Sequence, residues 1–396
     1  MAEAVAEIQL ALHPVMRDES AARRPTDGSG THFGLIGQYV KQRRLARLVR
    51  AEHRDPVAAR QVQRESPRLR IEGLASARHP IYYKHSNPHR RRSRYACTRT
   101  SPSFLAAPAD LAPPLPEASG FDHLIVETPG LRTHVATVGD GEPVVMFHGF
   151  PLHWWPWHEV APLIAEQGYR VICPDLRGAG WTEAEDPGID RETRLHDLLA
   201  LFEALGVERA HLVSHDMGAI TAMQLAYAHP ERVGRAVQLS VPPVFISFSP
   251  RLVAAFRHMP KLLWHRPGSS LRGVWADHYN ARRTPEAEID AHLAPMQRPA
   301  IDQAVRALYR GMVIPESMRL SRGVYKQMRL TVPTLFAFGR VDTRFDEELI
   351  RRLCANPERF ADDIEFAFID DGGKLLPAEA PDAVANLTLD WIRRTD

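Results

Sequence analysis

From about residue 121 onward, short apolar runs alternate with amphipathic segments along the chain. Residues 122–130 and 131–141 are predicted to form two strands joined by a Pro-Gly turn. Apolar positions at helical spacing and a glycine stop predict a helix at 192–206, and others are predicted at 218–230 and about 379–394. Further buried strands are predicted within PVVMFHGF, YRVICPDLRGAG, AHLVSHD, GRAVQLSV, TVPTLFAFG and IEFAFID. This alternation predicts an α/β fold with a mostly parallel sheet and helices on both faces.

The alternation stops between Val241 and about Met328, where Trp, His, Arg and Met are frequent. The segments RLVAAFRHMPKLLWH, TPEAEIDAHL and AIDQAVRALYRGM have the spacing of amphipathic helices. A helical block inserted after a strand predicts a lid over the C-terminal edge of the sheet, at about residues 245–328.

The first 120 residues show little periodicity and a different charge balance. They hold 20 Lys and Arg against 11 Asp and Glu, a net +9, whereas the remainder holds 30 against 37, a net −7. Such Arg- and Pro-rich composition buries too little apolar surface to offset chain entropy. We therefore predict a mostly disordered basic extension at 1–120, with a short basic helix at 35–50, and one folded domain at 121–396. A solvated tail is favoured over a nucleic-acid-binding arm.

The composition, 44% hydrophobic and 25% charged, is typical of a globular protein. No apolar run approaches the roughly 18 residues of a membrane span, and the N-terminus lacks the pattern of a secretory signal. Three scattered cysteines are too few for a disulfide framework or a metal site. Phosphate-binding glycine motifs are absent, so neither a cofactor nor a metal is expected, and a cytoplasmic location is predicted.

The stretch Leu212 to Ala219, LVSHDMGA, predicts a buried strand that enters a helix through one tight turn. That geometry exposes the turn residue, Asp216, above the sheet and directs the helix N-terminus at it. Ser214 and Gly218 supply the small flanking residues that such a turn needs. A carboxylate there is suited to attack a saturated carbon that bears an epoxide oxygen or a halide. The alternative is an Asp that only caps the helix.

Five motifs, HGFPLHWWPW, PDLRGAGWT, SHDMGA, FGRVDTRF and DGGKLLPAEAPD, resemble those of the α/β-hydrolase superfamily in order and spacing. Their residues look like those of epoxide hydrolases and, more distantly, haloalkane and haloacetate dehalogenases, over about 275 residues. The resemblance implies a nucleophile, Asp216, an acid, Asp342, and a lid tyrosine, Tyr309, that donates to the opening oxygen. It also implies an oxyanion hole, which we place at the backbone amides of Phe150 and Met217. The substrate pocket that it implies is placed around His148, Pro151, Trp154 and Trp155.

The position of the base departs from the family pattern, Gly-Gly-His-Phe-x-Pro. This chain reads Gly-Gly-Lys-Leu-Leu-Pro, so Lys374 stands where the family has histidine. Imidazole suits this role because its ordinary pKa lies near neutrality. An ammonium beside two carboxylates stays protonated and cannot take a proton from water. We therefore expect Asp216 to be alkylated and the resulting ester to turn over slowly or not at all.

Other functions remain open on these residues. An ester or lactone hydrolase would need Ser or Cys at position 216, and a dehalogenase is less favoured because Met217 replaces a halide-binding Trp. A pseudo-hydrolase that keeps its pocket and has lost its base is supported by Lys374. The expected partner is a small apolar electrophile such as an epoxide, and nucleic-acid binding is not expected.

Overall fold

The computed structural model describes residues 112–246, 259–275 and 280–394. The predicted basic extension, apart from its last residues, and the predicted helix at 35–50 lie outside the described residues. No helix within the described ranges is long and apolar enough to cross a membrane.

Nine strands form one sheet in the order β1-β2-β4-β3-β6-β7-β8-β9, and β5 pairs with β2. Antiparallel pairing is confined to the edge at β2, and every pair from β4-β3 to β8-β9 is parallel. The mostly parallel sheet is therefore confirmed. The strands are β1 Asp122–Thr128, β2 Leu131–Val138, β3 Glu142–Phe147, β4 Tyr169–Pro174, β5 Glu183–Ala184, β6 Ala210–His215, β7 Val233–Leu239, β8 Thr334–Gly339 and β9 Ile364–Ile369.

Helices cover both faces of this sheet, as the alternating pattern predicts. The two faces carry separate apolar clusters, one including Ile164 and Trp391 and the other Phe202 and Leu225. The helices, in chain order, are α1 Val160–Ala165, α2 Arg191–Ala204, α3 Met217–Ala228, α4 Met259–Leu263, α5 Glu286–Leu293, α6 Pro299–Leu308, α7 Ile314–Ser321, α8 Glu347–Leu353, α9 Leu376–Glu379 and α10 Pro381–Ile392.

The described part of the predicted lid contains four α-helices, α4 to α7. A π-helical turn, Tyr309–Val313, joins α6 to α7. Apolar side chains from three of these elements, including Leu262, Val305 and Met312, form one cluster with Ile189 of the sheet domain. Residues 247–258, where the first predicted lid helix begins, lie outside the described residues.

The packed unit starts before the predicted boundary at residue 121. Leu115 is buried in the core cluster that contains Trp157 and Trp181. The Trp181 indole N–H donates a hydrogen bond to the Pro113 carbonyl oxygen at 2.7 Å. Residues 112–120 therefore belong with the folded domain, because Leu115 packs in its core and the Pro113 carbonyl oxygen accepts the hydrogen bond of the Trp181 indole.

A buried carboxylate, Asp175, organises the turn after β4. His134 donates to its Oδ2 at 2.7 Å, and both side chains are fully buried. The backbone N–H groups of Trp154 and Trp181 also donate to it, at 2.8 and 3.0 Å. Burial alone would raise the pKa of Asp175, but the charge and hydrogen bond of His134 outweigh it and lower the pKa to about 2. This carboxylate therefore ties the loop after β3 to the turn after β4.

Histidines packed around Asp175 predict that the protein loses stability in mild acid. Burial, above all other causes, lowers the pKa of His123 and of His148 from 6.5 to about 4. The folded state therefore binds fewer protons than the unfolded chain between these values, so stability is complete above pH 6.5 and falls as the pH drops to 4. We expect a loss of about 1.4 kcal/mol per pH unit for each such histidine.

Urea denaturation at several pH values between neutrality and pH 4 measures this loss. The variant His123→Gln should flatten the dependence, because it removes one depressed histidine. The matched control His196→Gln changes an exposed histidine and should leave the dependence unaltered. An unfolding free energy that does not change across this range would contradict the prediction.

Candidate active site

The turn between β6 and α3 holds Asp216 in an unusual backbone conformation, with φ 52° and ψ −121°. Such a positive φ is rare for a residue other than glycine and is typical of strained functional turns. The turn is also crowded. A Cβ on Gly218 would lie 2.3 Å from the Phe147 carbonyl oxygen, and one on Gly149 would lie 2.6 Å from the Asp216 Cβ. The small residues predicted from the sequence are therefore required by close backbone approach.

Two backbone amides point at the same carboxylate oxygen. The Met217 N–H donates to Asp216 Oδ1 at 2.6 Å, and the Phe150 N–H lies 3.5 Å from that oxygen. Both amides thus come together at Asp216, one from the first residue of α3 and one from the loop after β3. Two N–H groups converging on one oxygen can stabilise a negative charge there.

Asp216 lines a cavity of about 210 Å³ between the sheet and the lid. Most of its walls are apolar. Eight residues with polar side chains also line it, and they are Asp216, Ser240, Tyr309, Glu316, Ser317, Tyr325, Arg344 and Lys374. An apolar cavity with a few convergent polar groups is typical of a site for a small organic molecule.

Tyr309 lies on the π-helical turn and lines the cavity with Asp216. Its ring packs edge-on against Phe150, with ring centroids 5.3 Å apart. Burial first, and then the negative charge of Asp216, raise the pKa of Tyr309 well above its ordinary value of 10. The phenol therefore keeps its proton at neutral pH and is available as a hydrogen-bond donor.

Lys374 shares the cavity with Asp216, and its backbone is fixed by two neighbours. Its carbonyl oxygen accepts hydrogen bonds from His215 Nε2 and Ser240 Oγ, each at 2.8 Å. Burial alone would raise the pKa of Asp216, but the charge of Lys374, with His215 and the Met217 N–H, lowers it. Asp216 is therefore ionised at neutral pH, as a nucleophile requires. No ion pair joins Lys374 to a carboxylate among the residues that the structure describes.

Asp342 follows β8, where the sequence places it, but its partner differs from the expected one. Its Oδ1 accepts from Arg344 Nε at 2.8 Å and from the Arg344 backbone N–H at 3.1 Å, and its Oδ2 accepts from Arg344 Nη2. Its carboxylate is therefore engaged by Arg344, and no hydrogen bond joins it to Lys374 among the residues that the structure describes. Arg344 lines the cavity in its place.

Three of the four residues predicted at the substrate pocket lie elsewhere. Trp154 is fully buried in the core. His148 is structural, because its Nδ1–H donates to the Gly149 carbonyl and its Nε2 accepts from the Leu176 N–H at 3.0 Å. Trp155 stacks on His158, with centroids 3.9 Å apart. Pro151 lines a smaller neighbouring cavity that also includes Lys374. The aromatic run after β3 therefore builds the core and not the pocket.

The wall of the cavity also holds a polar pair, Glu316 and Tyr325, that no sequence motif indicates. Glu316 and Tyr325 are buried there and are hydrogen-bonded to each other. Arg191 donates to both, at 3.2 Å to Glu316 Oε1 and 2.7 Å to the Tyr325 hydroxyl. Arg191 lies more than a hundred residues before the other two, so no local motif could have joined it to them.

Within the described ranges, no three or more His, Cys, Asp or Glu side chains are grouped as a metal site requires. The polar side chains that line the cavity are instead two carboxylates, two tyrosines, two serines, one arginine and one lysine.

Residues 142–263 match the α/β hydrolase fold family. Epoxide hydrolase 2 of Siraitia grosvenorii is 40% identical over 124 residues, which cover 31% of this chain and 39% of that protein. The chain thus spans about two fifths of the length of this and the next curated relatives.

Two further comparisons extend over most of the described part of the chain. The AB hydrolase superfamily protein YfhM of Bacillus subtilis is 26% identical over 294 residues, which cover 68% of this chain and 96% of that protein. The crystal structure of an epoxide hydrolase from Vigna radiata superposes with a TM-score of 0.59 at 22% identity, over 71% of this chain and all of that one. The latter likeness shows the fold alone.

Proposed function

We propose that this chain, an epoxide hydrolase-like α/β-hydrolase, opens small apolar epoxides through a covalent ester on Asp216. One observation carries the proposal. Asp216 stands at a positive-φ strand-to-helix turn, ionised, at the floor of an apolar cavity that also holds Tyr309. A group that only capped α3 would need neither the strained turn nor the cavity above it.

In the first step, Asp216 displaces the epoxide oxygen from carbon. The carboxylate oxygen forms a bond to a ring carbon while that carbon's bond to the epoxide oxygen breaks. Tyr309 donates a hydrogen bond to the departing oxygen, where negative charge develops. The product is an ester between Asp216 and the ring-opened alcohol.

In the second step, water cleaves this ester at the Asp216 carbonyl and a diol leaves. The carbonyl oxygen becomes negatively charged in the tetrahedral intermediate, and the Phe150 and Met217 amides stabilise it. Lys374 stands where related enzymes hold a histidine, and an ammonium cannot remove a proton from water. Ester hydrolysis is therefore the slow step of the cycle.

Rapid acid quenching after mixing the full chain with excess aryl epoxide tests the proposal. Mass spectrometry of the Asp216 peptide should find it heavier by one epoxide molecule, because ester formation outpaces hydrolysis. The modified fraction should approach one per protein. An unmodified Asp216 peptide, without diol in solution, would refute the proposed function.

Replacing Tyr309 with phenylalanine tests the donor role. Loss of one positioned acid typically lowers a rate by about 10²-fold or more, and the loss should fall on formation of the ester rather than on its hydrolysis. Quenched-flow experiments measure the rate of each half-reaction separately. The control Tyr227→Phe changes a half-buried tyrosine that does not line the cavity and should leave both rates unaltered. Equal slowing of both half-reactions in Tyr309→Phe would contradict the assignment.

A ligand-binding protein without turnover is the second candidate. It is favoured by the pairing of Asp342 with Arg344, because the acid that should support a base at position 374 is already engaged. This candidate predicts reversible binding of aryl epoxides, measurable by calorimetry, with no mass added to Asp216 and no diol formed.

A further inference from the structure

A second cavity, much smaller than the first, lies between the sheet domain and the lid. His215 and Lys374 line it from the sheet domain, and Trp275 and Asn280 line it from the lid. Phe150 and Lys374 line both cavities, so the two adjoin each other. The volume of the second cavity, about 10 Å³, is close to the smallest that holds one water molecule.

Three residues around the second cavity carry a buried polar atom that has no hydrogen-bond partner among the described residues. These atoms are His215 Nδ1, Trp275 Nε1 and Asn280 Oδ1. The whole His215 residue is only 1% exposed. A buried polar atom is costly to leave unpaired, so three of them around one small cavity indicate a bound polar molecule.

The hydrogen bond at the other ring nitrogen fixes the tautomer of His215. Its Nε2–H donates to the Lys374 carbonyl oxygen at 2.8 Å, because a carbonyl oxygen can only accept. Burial, above all other causes, lowers the pKa of His215 below its ordinary value of 6.5, so the ring is neutral at pH 7. Nδ1 of that neutral ring therefore carries a lone pair and accepts a hydrogen bond.

The three atoms together select water as the bound molecule. His215 Nδ1 and Asn280 Oδ1 are acceptors, whereas the Trp275 Nε1–H is a donor. A water molecule can donate to both acceptors and accept from the indole. A halide could not donate to the two acceptors, and a metal cation could not accept from the indole.

His215 Nδ1 also lies near the carbon atom that water must attack. A Cβ built on Gly149 would lie 3.2 Å from His215 Nδ1 and 3.3 Å from Asp216 Cγ. The separation of these two atoms is therefore at most the sum of those distances. One bridging water, in contact with each atom at roughly 3 Å, spans a separation of that size.

We propose that the second cavity binds the water that hydrolyses the Asp216 ester and that His215 is the base that takes a proton from it; this rests on the proposed function. The water oxygen bonds to Asp216 Cγ while one proton passes to Nδ1, and the bond from Cγ to the alcohol oxygen then breaks. That oxygen takes the proton from Nδ1. The second proton of the water goes to the oxygen that was freed when the epoxide opened. Both protons thus leave in the diol, and the water oxygen stays in Asp216.

This arrangement gives position 374 a role that its side chain does not supply. The Lys374 carbonyl oxygen holds the His215 ring, and Ser240 Oγ donates to the same oxygen at 2.8 Å. The backbone at position 374 therefore orients the base. A buried ring with a lowered pKa is a weaker base than an ordinary imidazole, which agrees with ester hydrolysis as the slow step.

A crystal structure of the full chain, at a resolution that shows ordered water, tests the binding site. We expect density for one water molecule within hydrogen-bond distance of His215 Nδ1, Trp275 Nε1 and Asn280 Oδ1. A cavity without that density, or one closed by hydrogen bonds among these three side chains, would overturn the proposal.

The variant His215→Gln tests the base. The glutamine amide can still donate to the Lys374 carbonyl but has no lone pair in the place of Nδ1. Quenched flow with styrene oxide and mass spectrometry of the Asp216 peptide measure both half-reactions in the full chain. Hydrolysis of the ester should be about 10²-fold or more slower than in the wild type, with the rate of ester formation unchanged.

The variant Trp275→Phe removes only the donor to the water and keeps an aromatic ring against His292. It should slow hydrolysis of the ester about tenfold, the effect of one hydrogen bond, and leave ester formation unchanged. Trp155→Phe is the matched control, because Trp155 also stacks on a histidine, His158, and lines neither cavity. It should hydrolyse the ester at the wild-type rate.

The remaining outcomes separate this inference from the proposed function. Ester that forms in every protein and decays at the wild-type rate in either His215→Gln or Trp275→Phe removes the water site from hydrolysis and leaves the proposed function intact. Equal slowing of both half-reactions in these variants would show a structural role only and would also overturn the inference. Absence of ester and diol from the wild type removes the proposed function, and this inference with it.

Discussion

Replacing Asp216 with asparagine should abolish diol formation, lowering kcat by about 10⁴-fold or more, as removal of a covalent nucleophile does in other hydrolases. The amide keeps the size of the side chain and can still accept the Met217 N–H. It is too weak a nucleophile to open an epoxide. Diol production under saturating aryl epoxide, followed by chromatography, gives the loss directly.

Two measurements distinguish this loss from damage to the fold. The variant should unfold at the same temperature as the wild type or higher, because it no longer buries a charge at position 216. Asp190→Asn is the matched control, since Asp190 caps α2 through the Thr193 N–H at 2.7 Å and lies away from the cavity. It should retain full activity. Comparable residual activity in both variants would reduce Asp216 to a helix cap.

The double variant Lys374→His/Arg344→Gln should hydrolyse the Asp216 ester about 10²-fold faster than the wild type at pH 7. The ordinary pKa of an imidazole lies near neutrality, whereas that of a lysine side chain is about four units higher. The histidine also needs an acceptor for its second N–H. The loops that carry Asp342 and position 374 are in contact, because the Val341 N–H donates to the Gly372 carbonyl at 3.0 Å. Replacing the Arg344 guanidinium makes Asp342 Oδ2 available for that role, while Oδ1 still accepts the backbone N–H of residue 344.

The single variants separate the effect of the residue at position 374 from the effect of Arg344. Lys374→His alone should gain less, because Arg344 still holds Asp342, and Arg344→Gln alone should gain nothing. Thermal unfolding of all three reports any cost of leaving Asp342 without its arginine. A single variant Lys374→His as fast as the double variant would show that the Asp342–Arg344 pair does not restrain the base.

The sheet and the turn at Asp216 were predictable because both depend on local pattern. Buried strands, helix stops and the small residues around Asp216 lie within short windows of sequence. The aromatic run after β3 misled the prediction because Trp154 is equally consistent with a pocket and with a core. Only the three-dimensional contacts of Trp154, with Phe121 and His123 among them, place it in the core.

The cavity's charge arrangement could not be predicted in the same way. Lys374 was identifiable from its motif, but the partner of Asp342 depends on whether a side chain two residues away folds back onto it. Arg344 and Asp342 are separated by one residue, Thr343, in a loop, where no periodicity fixes the direction of a side chain. The contacts of Arg191 with Glu316 and Tyr325 join parts of the chain more than a hundred residues apart.

A single turnover in water enriched in heavy oxygen tests the covalent route most directly. If Asp216 forms an ester that water cleaves at its carbonyl, the heavy oxygen enters the Asp216 carboxylate, and mass spectrometry finds it in that peptide while the first diol is unlabelled. Direct attack of water on the epoxide gives the opposite distribution. A labelled diol with an unlabelled Asp216 peptide would contradict the account.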